Sequence, residues 1–198
     1  MLNKVKMQYL QNIANRVASK KNDPTRHKCF ISYHVDDMSE VQEFIESFGS
    51  EFFARSVGVT VEDDFVDSTD DDYIKRRIRE KYLTDSSVTI VLLGKCTWTR
   101  KFVDWEISSS LRNDARNKRS GLLVYRLPHK GDHARLPARI EDNWVEDDPA
   151  SSYVRVLNYP SSPEVIRSQI ESAFEDRSTK AGLVDNSRVL LQRNLICF

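Results

Sequence analysis

Six glycines in 198 residues are too few and too scattered to build a glycine-rich phosphate cradle. No G-x-G-x-x-G, P-loop or G-x-S-x-G is present, so the usual dinucleotide, phosphate and hydrolase grips are missing. Net charge is also lacking. The 30 Lys+Arg balance the 30 Asp+Glu, leaving no global field to draw the chain to nucleic acid or an anionic membrane. The longest apolar run, VTIVLLG (88–94), is far short of the ~20 residues a membrane-spanning helix needs. No secretory h-region stands at the N-terminus. The three cysteines (Cys29, Cys96 and Cys197) are odd in number and widely spaced, so neither a disulfide framework nor a zinc motif follows. Cys29 and Cys96 lie in or beside strand-like segments and are expected to be small packed residues in a reducing cytoplasm.

What is present reads as a globular protein: 39% hydrophobic and 30% charged residues, with a length suited to one domain plus extensions. Residues 1–26 form a basic segment with Val5, Tyr9, Ile13 and Val17 at helical spacing, broken by Asn22-Asp23-Pro24. The polar residues on its other face suit a surface helix better than a targeting presequence. Residues 27–177 alternate strand and helix. KCFISY (28–33) reads as a strand and 36–48 as an amphipathic helix stopped by Gly49; FFARSVGVTV (52–61) is a weaker strand and 70–83 a helix. SSVTIVLLG (86–94), apolar on both faces, is the pattern of a central parallel strand. A helix near 100–113, a strand at 121–127, an irregular polar insertion at 128–152 carrying Trp144, and a strand at 152–159 follow. The last helix, 161–177, has Ser162 as N-cap and Pro163 in its first turn. The tail, 178–198, ends in apolar VLLQRNLICF and is expected to fold back on the body. Repeated alternation predicts an α/β fold, flavodoxin-like, with helices on both faces of a parallel sheet.

Such a sheet binds its ligand outside the carboxyl ends of its strands. The candidates are therefore Ser32, Tyr33, His34, Asp36 and Asp37 after the first strand, and Gly94, Lys95, Cys96, Thr97 and Trp98 after the central one. His34 is a candidate acid or base, or a surface histidine at a turn. The acidic run Glu62, Asp63, Asp64, Asp67, Asp70, Asp71 and Asp72 has metal-ligand chemistry without the spacing of a calcium loop, and a solvated loop before a helix suits it better. Trp98 and Trp105 either stack on a base or fill the core. The sharpest candidate is Glu106. Its helix register places it i+4 from Phe102, toward the sheet. An unpaired carboxylate there costs several kcal/mol. It therefore sits either in an ion pair with an arginine or in a functional cleft.

The motifs CFISYHVDD, SSVTIVLLG and T-x-x-R-x-F-V-x-x-E-I together resemble the TIR-like domains of prokaryotic antiphage defence, in particular the signalling subunit of Thoeris systems, over residues 28–127. The resemblance implies a flavodoxin-like fold and, in members that are enzymes, cleavage of the nicotinamide–ribose bond of NAD. It puts Glu106 at the catalytic position and Phe102 where many relatives carry tryptophan. Phe30, Ser32, Tyr33, His34, Trp98 and Phe102 become candidate substrate-binding residues. NAD is then a substrate, with no bound cofactor or metal. The implied product is a cyclic ADP-ribose isomer or an ADP-ribose conjugate, made on infection to activate a separate effector. The implied partners are a phage-derived trigger, that effector and a second copy of the chain, with no nucleic acid and no membrane. Two other readings stay open: a non-catalytic TIR-like adaptor that uses the same helix as a binding face, and a deoxyribosyltransferase-type enzyme with a glutamate against a glycosidic bond.

Overall fold

The structure, a computed structural model, describes residues 2–55, 66–83, 85–114, 118–128 and 135–197. Among the described residues five strands, β1 (Lys28–Ser32), β2 (Phe53–Arg55), β3 (Val88–Leu93), β4 (Gly121–Arg126) and β5 (Arg155–Leu157), form one sheet in the order β2-β1-β3-β4-β5. All four pairings are parallel. This is the flavodoxin-like order, with the topological switch between β1 and β3. All six residues of β3 are buried, which is why its sequence is apolar on both faces.

Among the described residues six α-helices cover the sheet: α1 (Leu2–Ala18), α2 (Met38–Phe48), α3 (Asp71–Ile78), α4 (Lys101–Leu111), α5 (Ala138–Glu141) and α6 (Pro163–Thr179). Strand alternation divides the core. Cys29, Ile31, Val88, Ile90 and Leu92 join α1, α2 and α6 in one cluster. Phe30, Val91 and Leu93 face the other way, among side chains of α3, α4 and α5. Asp70 caps α3, accepting from the backbone N–H groups of Asp72 and Tyr73, and Ser162 caps α6 by accepting from Val165. After Ile78 the chain makes a π-helical turn, Arg79–Leu83.

Several sequence expectations change here. The buried residues of α1 are Leu10, Ile13, Ala14, Val17 and Ala18, in its second half, whereas Val5 and Tyr9 are exposed; α1 packs on β2 and α2. The second strand is confined to three residues, and 56–65 fall outside the described residues, as do Glu62, Asp63 and Asp64 of the acidic run. The stretch read as an irregular insertion contains α5, and its Arg139, Ile140 and Asn143 are buried, with Trp144 against the same core. The largest departure concerns the cysteines. Cys96 does not stand alone as a packed residue; it forms a disulfide with Cys197 across 101 positions, with a Cα–Cα distance of 5.5 Å. Sequence spacing gave no hint of the pair because the tail has to return across the body before the two meet. Cys29 alone keeps the expected role, buried and unpaired.

The tail runs back along α4 as a strap. Leu190 enters the cluster of Phe30, Ile74, Ile78, Leu83 and Trp105, while Val189, Leu195 and Ile196 remain exposed. Backbone groups do most of the holding. Leu191 donates its N–H to Asp104 Oδ2 (2.9 Å) and accepts from Trp105 Nε1 (2.8 Å), and Leu195 N–H donates to the Thr99 carbonyl (2.8 Å).

Candidate functional site

Every residue of α4 from Val103 to Leu111 is buried, acids and serines included. An 11-residue helix normally keeps one face in water. Here the sheet, α3, α5 and the strap enclose it, so its polar residues need partners inside the protein. Val103, Ile107 and Leu111 pack with β4, Ile140 and Tyr153. Trp105 and Phe102 meet edge to face at 5.6 Å, and Trp105 lies in the cluster that receives Leu190. The side turned to β1 and β3 is polar. Ser110 donates to the Glu106 carbonyl (2.8 Å) and shares a 2.7 Å bond with Thr89 of β3. Arg79, delivered by the π-helical turn, donates to the carbonyls of Ser109 (2.5 Å), Arg112 (3.1 Å) and Lys118 near the end of the helix.

Glu106 is 4% exposed, and its Oε2 accepts a 2.6 Å hydrogen bond from Ser32 Oγ. Ser32 is the last residue of β1 and α4 follows β3, so the bond sits at the switch between the two strands. Tyr33, one residue beyond, is 8% exposed and its hydroxyl has no hydrogen-bond partner among the described residues. Burial drives the Tyr33 phenol pKa well above its ordinary value, and the negative charge of Glu106 pushes it the same way. A neutral phenol therefore stands near a carboxylate with its donor unspent. Such an orphaned polar group is rare in a packed interior and calls for a ligand or water.

The rim of this corner is built from the other strand end. Gly94 follows β3 directly, and a Cβ there would lie 2.1 Å from Asp37 Oδ2. Glycine lets the buried Asp37 carboxylate close on the backbone, where Thr97 Oγ1 accepts from Gly94 N–H (2.8 Å).

The structure separates the remaining candidates. Phe30 is fully buried among Ile74, Ile78, Leu83, Trp105 and Leu190, a core residue and not a stacking surface. Phe102 is half-buried on the Trp105 side of α4, with the Lys101 ammonium 5.2 Å from its ring. Trp98 is half-buried under the Arg135 guanidinium, 5.3 Å away, at the loop that leads into α4. His34 is largely buried, its Nδ1 3.6 Å from Asp36 Oδ2. Ser32 and Glu106 thus come together; the Tyr33 ring packs in the cluster shared with α1, α2 and α6, within the influence of the Glu106 charge, while Phe30 and Phe102 belong to the packing behind α4.

Sequence reading missed the buried ion pair beside the site. Arg139 of α5, fully buried, donates through Nε to Asp104 Oδ1 (2.9 Å) and through its other nitrogens to the strap carbonyls of Arg188 and Val189. The sequence reading weighed an arginine partner for Glu106 alone; the buried arginine of α5 pairs with Asp104, two residues earlier on the helix. Only the position of α5, in a stretch that looked irregular, could have revealed it.

A parallel sheet in this order, with a buried glutamate of α4 bonded to the end of β1, defines a TIR-like α/β domain. Residues 30–132 match the family of the Thoeris protein ThsB, TIR-like domain, and because the match spans over half of the sequence, the chain belongs to that family. No curated protein matches the chain. Among the described residues no helix is long and apolar enough to cross a membrane.

Proposed function

We propose that the chain is an NAD-cleaving enzyme of antiphage defence, working in the cytoplasm, with Glu106 as its catalytic carboxylate. The observation that carries the reading is the buried Ser32–Glu106 bond at the β1/β3 switch, with the unpartnered Tyr33 hydroxyl on the next residue of the chain. Nicotinamide leaves NAD as a neutral molecule, so its departure needs no general acid. The chemistry needs a fixed negative group where positive charge develops on the ribose, and a buried carboxylate oriented by a hydroxyl supplies that. Ser32 holds Glu106 in one orientation, and Tyr33 has an O–H to offer a ribose oxygen. Thr97, Trp98 and His34 lie on the segments that follow β3 and β1. The nucleophile that replaces nicotinamide fixes the product: water gives ADP-ribose, an adenine or ribose atom a cycle, and an amino acid a conjugate. Family membership supports the cyclic or conjugated product, a signal for a separate effector, made when a phage component triggers the enzyme; a second protomer completing the site fits the same reading.

The test is nicotinamide release from NAD by the purified full chain, alone and with extract of phage-infected cells. Wild type is expected to release nicotinamide in the second condition, and Glu106→Gln to lose about 10²–10³-fold of that rate. If NAD stays intact in both conditions and Glu106→Ala cells still resist phage, the reading fails and an adaptor role takes its place.

A further inference from the structure

The disulfide joins two places that matter to the site. Cys96 lies in the 94–100 segment between β3 and α4, and Cys197 lies on the strap that encloses α4. The strap does more than cover. Asn194 Oδ1 accepts from Lys101 N–H (3.0 Å), and so caps a helix whose own N-cap residue, Arg100, provides no side-chain cap. Leu195 N–H bonds the Thr99 carbonyl, and Leu191 engages both Asp104 and Trp105. Past Leu190, however, the strap buries no large apolar side chain: Leu195 and Ile196 are exposed and Leu191 is half-buried. A segment held by a few backbone bonds at the surface opens at little cost. The covalent link is what makes this last stretch permanent. Cys96 and Cys197 are both partly exposed residues, whereas Cys29 is fully buried and burial pushes its thiol pKa far up.

We propose that Cys96 and Cys197 form a reversible redox latch: oxidised, they pin the strap to the β3–α4 segment and fix the start of the helix that carries Glu106; reduced by a dithiol, they release it. The exchange balances as ordinary thiol chemistry. One thiolate of the dithiol attacks a sulfur of the Cys96–Cys197 bond, giving a mixed disulfide and a free cysteine thiolate. The second thiol of the reductant then displaces the other cysteine, so two electrons and two protons reach the protein and the reductant leaves as its own disulfide. Release of the strap removes the Asn194 cap and the Thr99 bond together, which frees the segment carrying Thr97 and Trp98. The latch itself is independent of the chemistry at Glu106; only its effect on turnover rests on the NAD-cleaving reading.

The experiment compares the full chain oxidised, reduced with dithiothreitol, and re-oxidised, alongside Cys197→Ser in oxidising buffer. Native thiol labelling should find Cys96 and Cys197 only in the reduced protein. Amide hydrogen exchange in 97–107 and 190–197 should rise at least about tenfold on reduction, return on re-oxidation, and stay high in Cys197→Ser. Equal exchange in all four samples, or both cysteines labelled under oxidising conditions, overturns the latch. Nicotinamide release, measured in parallel, should be faster in the reduced protein. Release of the strap with unchanged turnover overturns the gating, and release of the strap with no NAD cleavage in any sample leaves the latch standing while the NAD reading fails.

Discussion

Ser32 and Glu106, 74 residues apart in sequence, are joined by a 2.6 Å hydrogen bond in which the serine hydroxyl donates to the buried carboxylate. A bond to a charged group contributes about 1.5–3 kcal/mol, and removing the donor leaves the carboxylate less well satisfied. Ser32→Ala is therefore expected to lower stability by about that amount in urea unfolding. If the serine orients the carboxylate for catalysis, the same variant lowers kcat for NAD about tenfold, equivalent to ~1.4 kcal/mol of barrier, while KM stays close to wild type.

The pair Arg139–Asp104 is a structural counterpart. Both residues are buried, and Arg139 also ties α5 to the strap carbonyls. Arg139→Ala strands the Asp104 carboxylate inside the protein, and a loss of about 3–5 kcal/mol is expected. A lowered urea midpoint with an unchanged slope would confirm it; a loss below 1 kcal/mol would contradict the burial argument.

Gly121 opens β4 against the backbone of α6. A Cβ at this position would stand 2.0 Å from the Ala173 carbonyl oxygen, and backbone cannot swing aside as a side chain can. Gly121→Ala is expected to destabilise the fold by about 1–3 kcal/mol, read as a drop in Tm, although it adds only one methyl group.

Acid should loosen the join between the end of α1 and α6. Burial alone would raise the Glu51 carboxyl pKa, but hydrogen bonds from Lys21 and Arg167 outweigh it and hold the group below its ordinary 4.5. A depressed carboxyl contributes stability that is full above the unfolded value and is lost as pH falls below about 4.5 through the folded value. Arg167 is half-exposed, so screening limits the contribution to about 1 kcal/mol. Glu51→Gln should flatten the stability–pH curve below pH ~5 by that much and leave little slope to lose.

The alternation of strand and helix, the all-apolar β3 and the cap at Ser162 were legible because they depend on neighbours in sequence. The burial of Glu106 was legible too, through its register. The register argument was nevertheless incomplete: it assumed one buried face, whereas α4 is buried on all sides from Val103 to Leu111. Phe30 went the other way. The resemblance made it a candidate substrate-binding residue, but it lies deeper on β1 than Ser32, and the π-helical turn and strap close over it.

Local spacing and hydrophobic period alone determined the class of fold, the central strand and the suspicion attached to one acid. Tertiary structure decided which groups Glu106 meets, which acid Arg139 neutralises, and that Cys96 finds Cys197. Those pairings join residues tens to a hundred positions apart, and a pattern read along the chain carries no information about distances set by how sheet, helices and strap pack.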